Sequence, residues 1–287
     1  MERTPYWLCV DGEWVRQQDA LPVQNRSFLY GDGVFETMRT LGEDIVFAET
    51  HFERLANSLA LLDIPLHNDL QIDGFQKLAA RFIHKNKWYK GARLRLTVYR
   101  KGAGRYTPQN NGSGFLLDGE PFNNEPFYPF VGTGKLLTAF PEMKKPLNKL
   151  ASLKTTSSIF YVLAGKFAKA HGFDDCFIMN ERNEIIETVN SNVFLVAGNH
   201  VITPGVSNGA LNGTMRKQVL NLLDDTNYNI MERGINEDDL LEADEVLLTN
   251  AVQGITWVKG YKERRYYHRF GAEVSEKLNL KIVNRQF

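Results

Sequence analysis

Prolines at 121, 126 and 129, in a stretch that runs on to Gly134, exclude a helix interior or a central strand from that part of the 287-residue chain. This composition predicts a linker over 121–134 between a domain at 1–120 and a second at 135–287, both within the usual size range. Lysines plus arginines number 34 and aspartates plus glutamates also 34, so there is no overall field to draw in nucleic acid or an anionic membrane. Cys9 and Cys176 fit no disulfide or metal framework, and the six histidines fall at no metal-ligand spacing, so no metal is expected. The opening residues hold an acidic side chain and no long apolar run, and no window approaches the roughly 20 apolar residues that span a bilayer. The cytoplasm is the expected location.

Along the first region, Trp7–Val10, Asp11-Gly12 and Trp14-Val15 read as a hairpin whose turn needs positive backbone angles. Tyr30-Gly31-Asp32-Gly33 leads into an alternating strand over Val34–Thr40, its glycines permitting a close backbone approach. Phe52, Leu55, Leu59 and Leu62 recur at helical spacing, which predicts a helix over Glu49–Leu62 with Thr50 as its cap. A second helix is predicted over Leu70–Lys85, a strand over Ala92–Arg100 with Arg93 and Arg95 on one face, a glycine-rich loop over Lys101–Pro108 and a strand over Gly114–Leu117. Beyond the linker, a strand at Leu136–Phe140 and a helix over Ser158–His171, stopped by Gly172, precede a meander of strands at 176–179, 184–187, 193–196 and 201–203. A helix over Gly213–Leu223 and a strand at Glu245–Thr249 with the turn Asn250-Ala251 complete an α+β pattern with mixed sheets.

Lys154 stands before the apolar helix, and Glu187 closes an apolar strand. Taken singly, Lys154 is a solvated lysine and Glu187 an edge decoration. As a pair they suit an aldehyde cofactor with a basic ring nitrogen, pyridoxal phosphate. A lysine amine forms a Schiff base and shuttles a proton, and a carboxylate keeps the ring nitrogen protonated. A phosphate favours guanidinium groups and helix N-termini, for which Arg54, Leu211–Arg216 and the Thr249–Ala251 turn are candidates.

In this order the motifs resemble the class IV aminotransferases, the fold-type IV pyridoxal phosphate enzymes that include branched-chain aminotransferases, D-amino acid aminotransferases and aminodeoxychorismate lyases. The resemblance runs through Arg26–Glu36, His51–Leu55, Lys154, Glu187–Phe194, Leu211–Arg216 and Thr249–Ile255. It implies a small N-terminal α/β domain, a larger C-terminal mixed α/β domain, the cofactor in the cleft between them, and a homodimer whose sites borrow a loop from the partner. By this resemblance Lys154 carries the cofactor and Glu187 meets its ring nitrogen. Arg54, Thr214, Met215, Asn250 and Ala251 hold the phosphate beside Asn190. Tyr30, Phe35, Thr37, Val252 and the loop holding Arg105 line the substrate side, joined by Arg26 from the neighbouring subunit.

Thr249–Val252 and Arg100–Arg105 look more like the lyases, whereas Glu36 looks more like the aminotransferases. The Arg-x-His clamp of the best-known D-amino acid aminotransferases is absent around Arg93–Arg105. The expected activity is amino-group transfer between a D- or branched-chain amino acid and a 2-oxo acid by a ping-pong route. Elimination of pyruvate from aminodeoxychorismate to give 4-aminobenzoate is the alternative, and a cofactor-binding protein without turnover is the least favoured.

Overall fold

Asp11 and Gly12 both adopt positive φ (50° and 89°), and this two-residue turn pairs β1 (Trp7–Val10) with β2 (Glu13–Arg16) as the sequence predicts. The computed structural model describes residues 6–16, 25–122, 127–130, 132–224 and 226–284. Of the proline-rich segment, residues 123–126 and 131 lie outside the described residues. Chain contacts form two units, one of Met1–Pro126 with Lys154–Ser157, the other of Phe127–Leu153 with Ser158–Gln286.

In the first unit the chain continues through α1 (Arg26–Tyr30), β3 (Gly33–Leu41), β4 (Asp44–Ile45), α2 (Ala48–Leu61), α3 (Ile72–Asn86), β5 (Ala92–Lys101) and β6 (Gly112–Pro121). Six strands form an antiparallel sheet in the order β2-β1-β6-β5-β3-β4. Alternation sends Val34 and Met38 to the same face as their cross-strand partners Val98 and Leu94. There they join Leu55 and Leu59 of α2 and Phe75, Phe82 and Ile83 of α3 in one core. The helix predicted to be capped by Thr50 instead starts at Ala48, entered through a left-handed Phe47 without a side-chain cap. Burial of Phe47 and Ala48 in the core fixes that entry. β6 reaches Pro121, at the start of the predicted linker, because β5 offers it a ten-residue partner.

β4 pairs only with the far end of β3, at Thr40 and Leu41. At the near end the edge is covered by Lys154–Thr156. The Phe35 N–H donates to the Lys154 carbonyl at 2.9 Å and the Thr156 N–H to the Gly33 carbonyl at 2.9 Å. Gly33 is required here, since a Cβ would lie 2.6 Å from the Val98 carbonyl oxygen.

The second unit holds β7 (Lys135–Ala139), α4 (Ile159–Ala170), β8 (Asp175–Met179), β9 (Ile185–Thr188), β10 (Asn192–Ala197), β11 (His200–Thr203), α5 (Thr214–Leu223), β12 (Asn229–Glu232), α6 (Glu237–Glu242), β13 (Glu245–Asn250), β14 (Gly254–Tyr261), β15 (Arg264–Arg265) and α7 (Arg269–Val283). The predicted meander forms as β8 to β11. Its mixed sheet runs β12-β11-β10-β13-β14-β7-β8-β9, and β9 pairs back to β10, so the strands from β10 to β9 close into a ring. Leu137, Phe177, Val193, Leu195, Val246, Leu248 and Val258 lie in one core cluster, and Ala164 and Ala168 of α4 pack with Phe140, Cys176 and Ile186 in another. The single register pair that closes the ring is Asn192 with Glu187.

Candidate active site

Ring closure fixes Glu187 at the end of β9, where the carboxylate is buried but fully partnered. Its Oε1 accepts from Lys145 Nζ at 2.5 Å and from the Tyr161 hydroxyl at 2.8 Å, and its Oε2 accepts from the Leu211 N–H at 2.9 Å. Burial, and after it the neighbouring Glu187, raises the Tyr161 phenol far above its ordinary range, so Tyr161 acts as a donor. From Leu211 the network continues. The Leu211 carbonyl accepts from Asn192 Nδ2 at 2.8 Å, and at Gly213 a Cβ would fall 1.8 Å from Asn192 Oδ1. That glycine begins α5, ten residues long, with no side-chain cap on its first amides. Thr214 and Met215 on its first turn are both buried.

Across the sheet Asn192 faces Thr249, whose buried hydroxyl has no hydrogen-bond partner among the described residues. Asn250 donates to Ser191 Oγ at 3.0 Å, and its Oδ1 accepts the N–H groups of Val252 and Gln253 at 3.0 and 2.8 Å, which fixes the turn containing Ala251. Ser191 Oγ in turn donates to Asn190 Oδ1. An unsatisfied buried hydroxyl, an uncapped helix start and an ordered turn form a donor set suited to a phosphate, and Glu187 is joined to that set through Leu211 and Asn192. The candidates Glu187, Asn190, Thr214, Met215, Asn250, Ala251 and Val252 are therefore brought together in one unit.

The other candidates belong to the first unit. Lys154, half-buried, accepts the Phe35 N–H on its carbonyl and places Nζ 4.5 Å from the centre of the Phe35 ring, and Arg95 Cζ lies 3.6 Å from the same ring. Thr37 sits on the same strand face as Phe35, directly opposite Arg95 on β5. Among the described residues no hydrogen bond or ion pair engages the Arg95 guanidinium. Burial, then the charge of Arg93, pulls its pKa below the ordinary value.

Arg54 is buried and directs Nε to Glu36 Oε1 at 2.8 Å and Nη2 to Glu36 Oε2 at 2.5 Å. His51 Nδ1 meets Oε2 at 2.7 Å. Burial pushes the Glu36 carboxyl up, but Arg54 and His51 outweigh it and hold the group down at about 2. Burial lowers the His51 pKa despite Glu36, so His51 is neutral and donates from Nδ1.

Arg26, expected on the substrate side, is a clasp for its own loop. Its Nε donates to Asp32 and its Nη1 to the carbonyls of Gly104 and Arg105, each within 2.9 Å. A guanidinium held this way ties α1 to the glycine-rich loop. The Tyr30 ring meets that of Tyr106 at a tilt of 57° at the surface, and the Arg105 side chain is exposed.

The model of the amino-transferase class IV family matches residues 33–261. The chain belongs to the class IV aminotransferases. Among relatives, an aminodeoxychorismate lyase of Vibrio harveyi is 28% identical over 86% of this chain and 90% of that one. A putative branched-chain-amino-acid aminotransferase of Methanocaldococcus jannaschii is 26% identical over 96% and 94%. The fold is that of a branched-chain aminotransferase from Thermobaculum terrenum solved in its PLP form, with a TM-score of 0.84 at 17% identity over 99% of this chain and 96% of that one.

Arg26 and Tyr30 precede the matched region of this class IV aminotransferase, and all the other candidates fall within it. The sequence pattern gives no signal for Lys145, which reads there as one of two adjacent solvated lysines. Arg95 is visible as sharing one face of an alternating strand with Arg93, but its approach to Phe35 depends on the β3–β5 register. Among the described residues no helix is long and apolar enough to cross a membrane.

Proposed function

We propose that this chain is a pyridoxal phosphate-dependent aminotransferase that moves an amino group between a D- or branched-chain amino acid and a 2-oxo acid by a ping-pong route. The observation that carries this reading is that buried Glu187, hydrogen-bonded to Leu211 and through it to Asn192, lies in one unit with phosphate-type donors at Thr249, at the start of α5 and in the Asn250-Ala251 turn. When bound, the cofactor supplies an aldehyde for amines and a ring that draws electrons from the substrate's α-carbon. Lys154 would hold the cofactor and carry the transferred proton on Nζ, with the Phe35 ring fixing the approach of that amine. Glu187 would present a carboxylate to the ring nitrogen. The Thr249 hydroxyl, the Thr214 and Met215 amides and the Asn250-Ala251 turn would hold the phosphate, with Asn190 beside Ser191 and Arg54 of the first unit as further contributors. Arg95, with Thr37 opposite, supplies a cation for a substrate carboxylate, a role for which a guanidinium is well shaped.

A cytoplasmic homodimer belongs to the same proposal. The exposed side chains Phe28, Leu29 and Tyr30 of α1 and Ile159, Val162 and Leu163 of α4 provide apolar surface for a second copy. The Vibrio harveyi relative favours a second reading, release of pyruvate from aminodeoxychorismate, which would use the same lysine and carboxylate.

Mixing the purified protein, loaded with pyridoxal phosphate, separately with D-alanine, D-glutamate, L-leucine and L-glutamate tests the proposal. The cofactor's visible band is expected to bleach with one stereochemical set and to persist in Lys154→Ala, whose turnover falls about 1,000-fold or more. No bleaching with any donor, together with pyruvate formed from aminodeoxychorismate without an acceptor, would give the site to the lyase reaction.

A further inference from the structure

Glu187 already has a cation. Lys145 is buried, with its ammonium 2.5 Å from Glu187 Oε1 and 5.6 Å from the centre of the Tyr161 ring. Its backbone is held as firmly as its side chain. The Lys145 N–H donates to the Met179 carbonyl at 2.8 Å and the residue forms a bridge with Asn180 beside β8. Burying a flexible lysine costs rotamer freedom and hydration, and a carboxylate and an aromatic face are what compensate here. Glu187 needs no such partner for the ring to close, because Leu211 and Tyr161 already serve it.

We propose that Lys145 is a positioning residue that limits how strongly Glu187 can hold a proton on the cofactor's ring nitrogen. This rests on the reading that Glu187 faces that nitrogen. A protonated ring nitrogen is a second cation on a carboxylate that already carries one, and like charges sharing one counter-ion oppose each other. Among the described residues the titratable groups hydrogen-bonded to Glu187 are Lys145 and Tyr161, and the second stays a neutral donor. Lys145 therefore sets the balance, and with it the electron-withdrawing strength of the bound ring.

The test uses pyridoxal phosphate labelled with ¹⁵N in the ring and reads the nitrogen's NMR shift in the loaded protein at neutral pH. Lys145→Met is expected to move the signal toward the protonated position, raising the ratio of protonated to free nitrogen on the order of ten-fold. Lys145→Arg keeps the wild-type position, and Glu187→Gln moves the signal the other way. A signal unmoved by Lys145→Met but moved by Glu187→Gln overturns the role of Lys145 and leaves Glu187 in place. A signal unmoved by both removes Glu187 from the ring nitrogen as well.

Urea unfolding of the cofactor-free protein gives an independent readout, which also serves if Lys145→Met binds no cofactor. The Lys145→Met/Glu187→Gln double variant should lose clearly less in unfolding midpoint than the two single variants summed. Additive losses would overturn the ion pair.

Discussion

Glu36 on β3 of the first unit and Glu187 on β9 of the second are both buried carboxylates, and the two are served in opposite ways. Glu36 takes its partners, Arg54 and His51, from one helix, and the Arg54 fork fills both oxygens at once. Glu187 takes a lysine from the segment before α4, a tyrosine from α4 and a backbone amide from the loop before α5. A planar fork and a neutral imidazole from adjacent turns make a closed, rigid ion pair. A point charge, a hydroxyl and an amide from three directions make a carboxylate that can exchange one donor for another. The first arrangement fixes its guanidinium in one orientation, and the second leaves its carboxylate able to change partners.

The sharpest way to break this contrast is Glu36→Ala, which leaves the Arg54 guanidinium buried without its counter-ion. Unfolding in urea should show a loss of about 3–5 kcal/mol. A loss under about 1 kcal/mol would mean that Glu36 is no more structural than Glu187.

Acid should single out the same pair. Glu36 titrates at about 2 when folded against 4.5 ordinarily, so its contribution is complete above about 4.5 and lost as pH falls toward 2. His51 has a lowered pKa, so the folded state binds its proton less readily than the unfolded chain, and its contribution fades as pH drops below 6.5. Unfolding midpoints measured down the pH scale should decline from about 6.5 and fall more steeply below about 4.5, with on the order of 3 kcal/mol attached to Glu36. Glu36→Gln should flatten the steeper part, and an unchanged profile in that variant would count against the lock.

The smallest effect expected is at Thr249, near Glu187. Thr249→Val removes a buried hydroxyl that has no partner, so the cofactor-free protein should gain up to about 1 kcal/mol, while pyridoxal phosphate binds more weakly. A loss of stability in calorimetry would show that the hydroxyl is already satisfied.

Much of this was legible in residue patterns, and where it was not the reasons are physical. The Asp11-Gly12 hairpin, the helix that became α4 and the meander β8 to β11 depend on local turns and periodicity, which a sequence carries openly. The start of α2 was misplaced because a buried Phe47, and not a polar cap, turns the chain there. α1 escaped prediction because five residues are too few to show a period, although Asn25 caps it by accepting from Ser27 and Phe28. Of the site, Lys154 and Glu187 stood out as a pair with neighbouring motifs. The Lys145 contact could not be seen, since it joins residues 42 apart in sequence and arises only when the Lys145 segment pairs beside β8 at Met179 and Asn180. The bonds of Arg26 to its own loop were hidden for a related reason, because they join residues 78 and 79 apart in sequence.

The strap Lys154–Thr156 on the edge of β3 bears on how the molecule is made. Thr156 and Gly33, joined through both the backbone and the threonine hydroxyl, lie 123 residues apart. A ribosome releases residues 1–126 long before that edge can be covered, so the nascent first unit waits with a strand end exposed. The residue proposed to do the chemistry is thus on one of the last pieces the first unit receives, and a chain interrupted before it has neither a finished sheet nor a reactive amine.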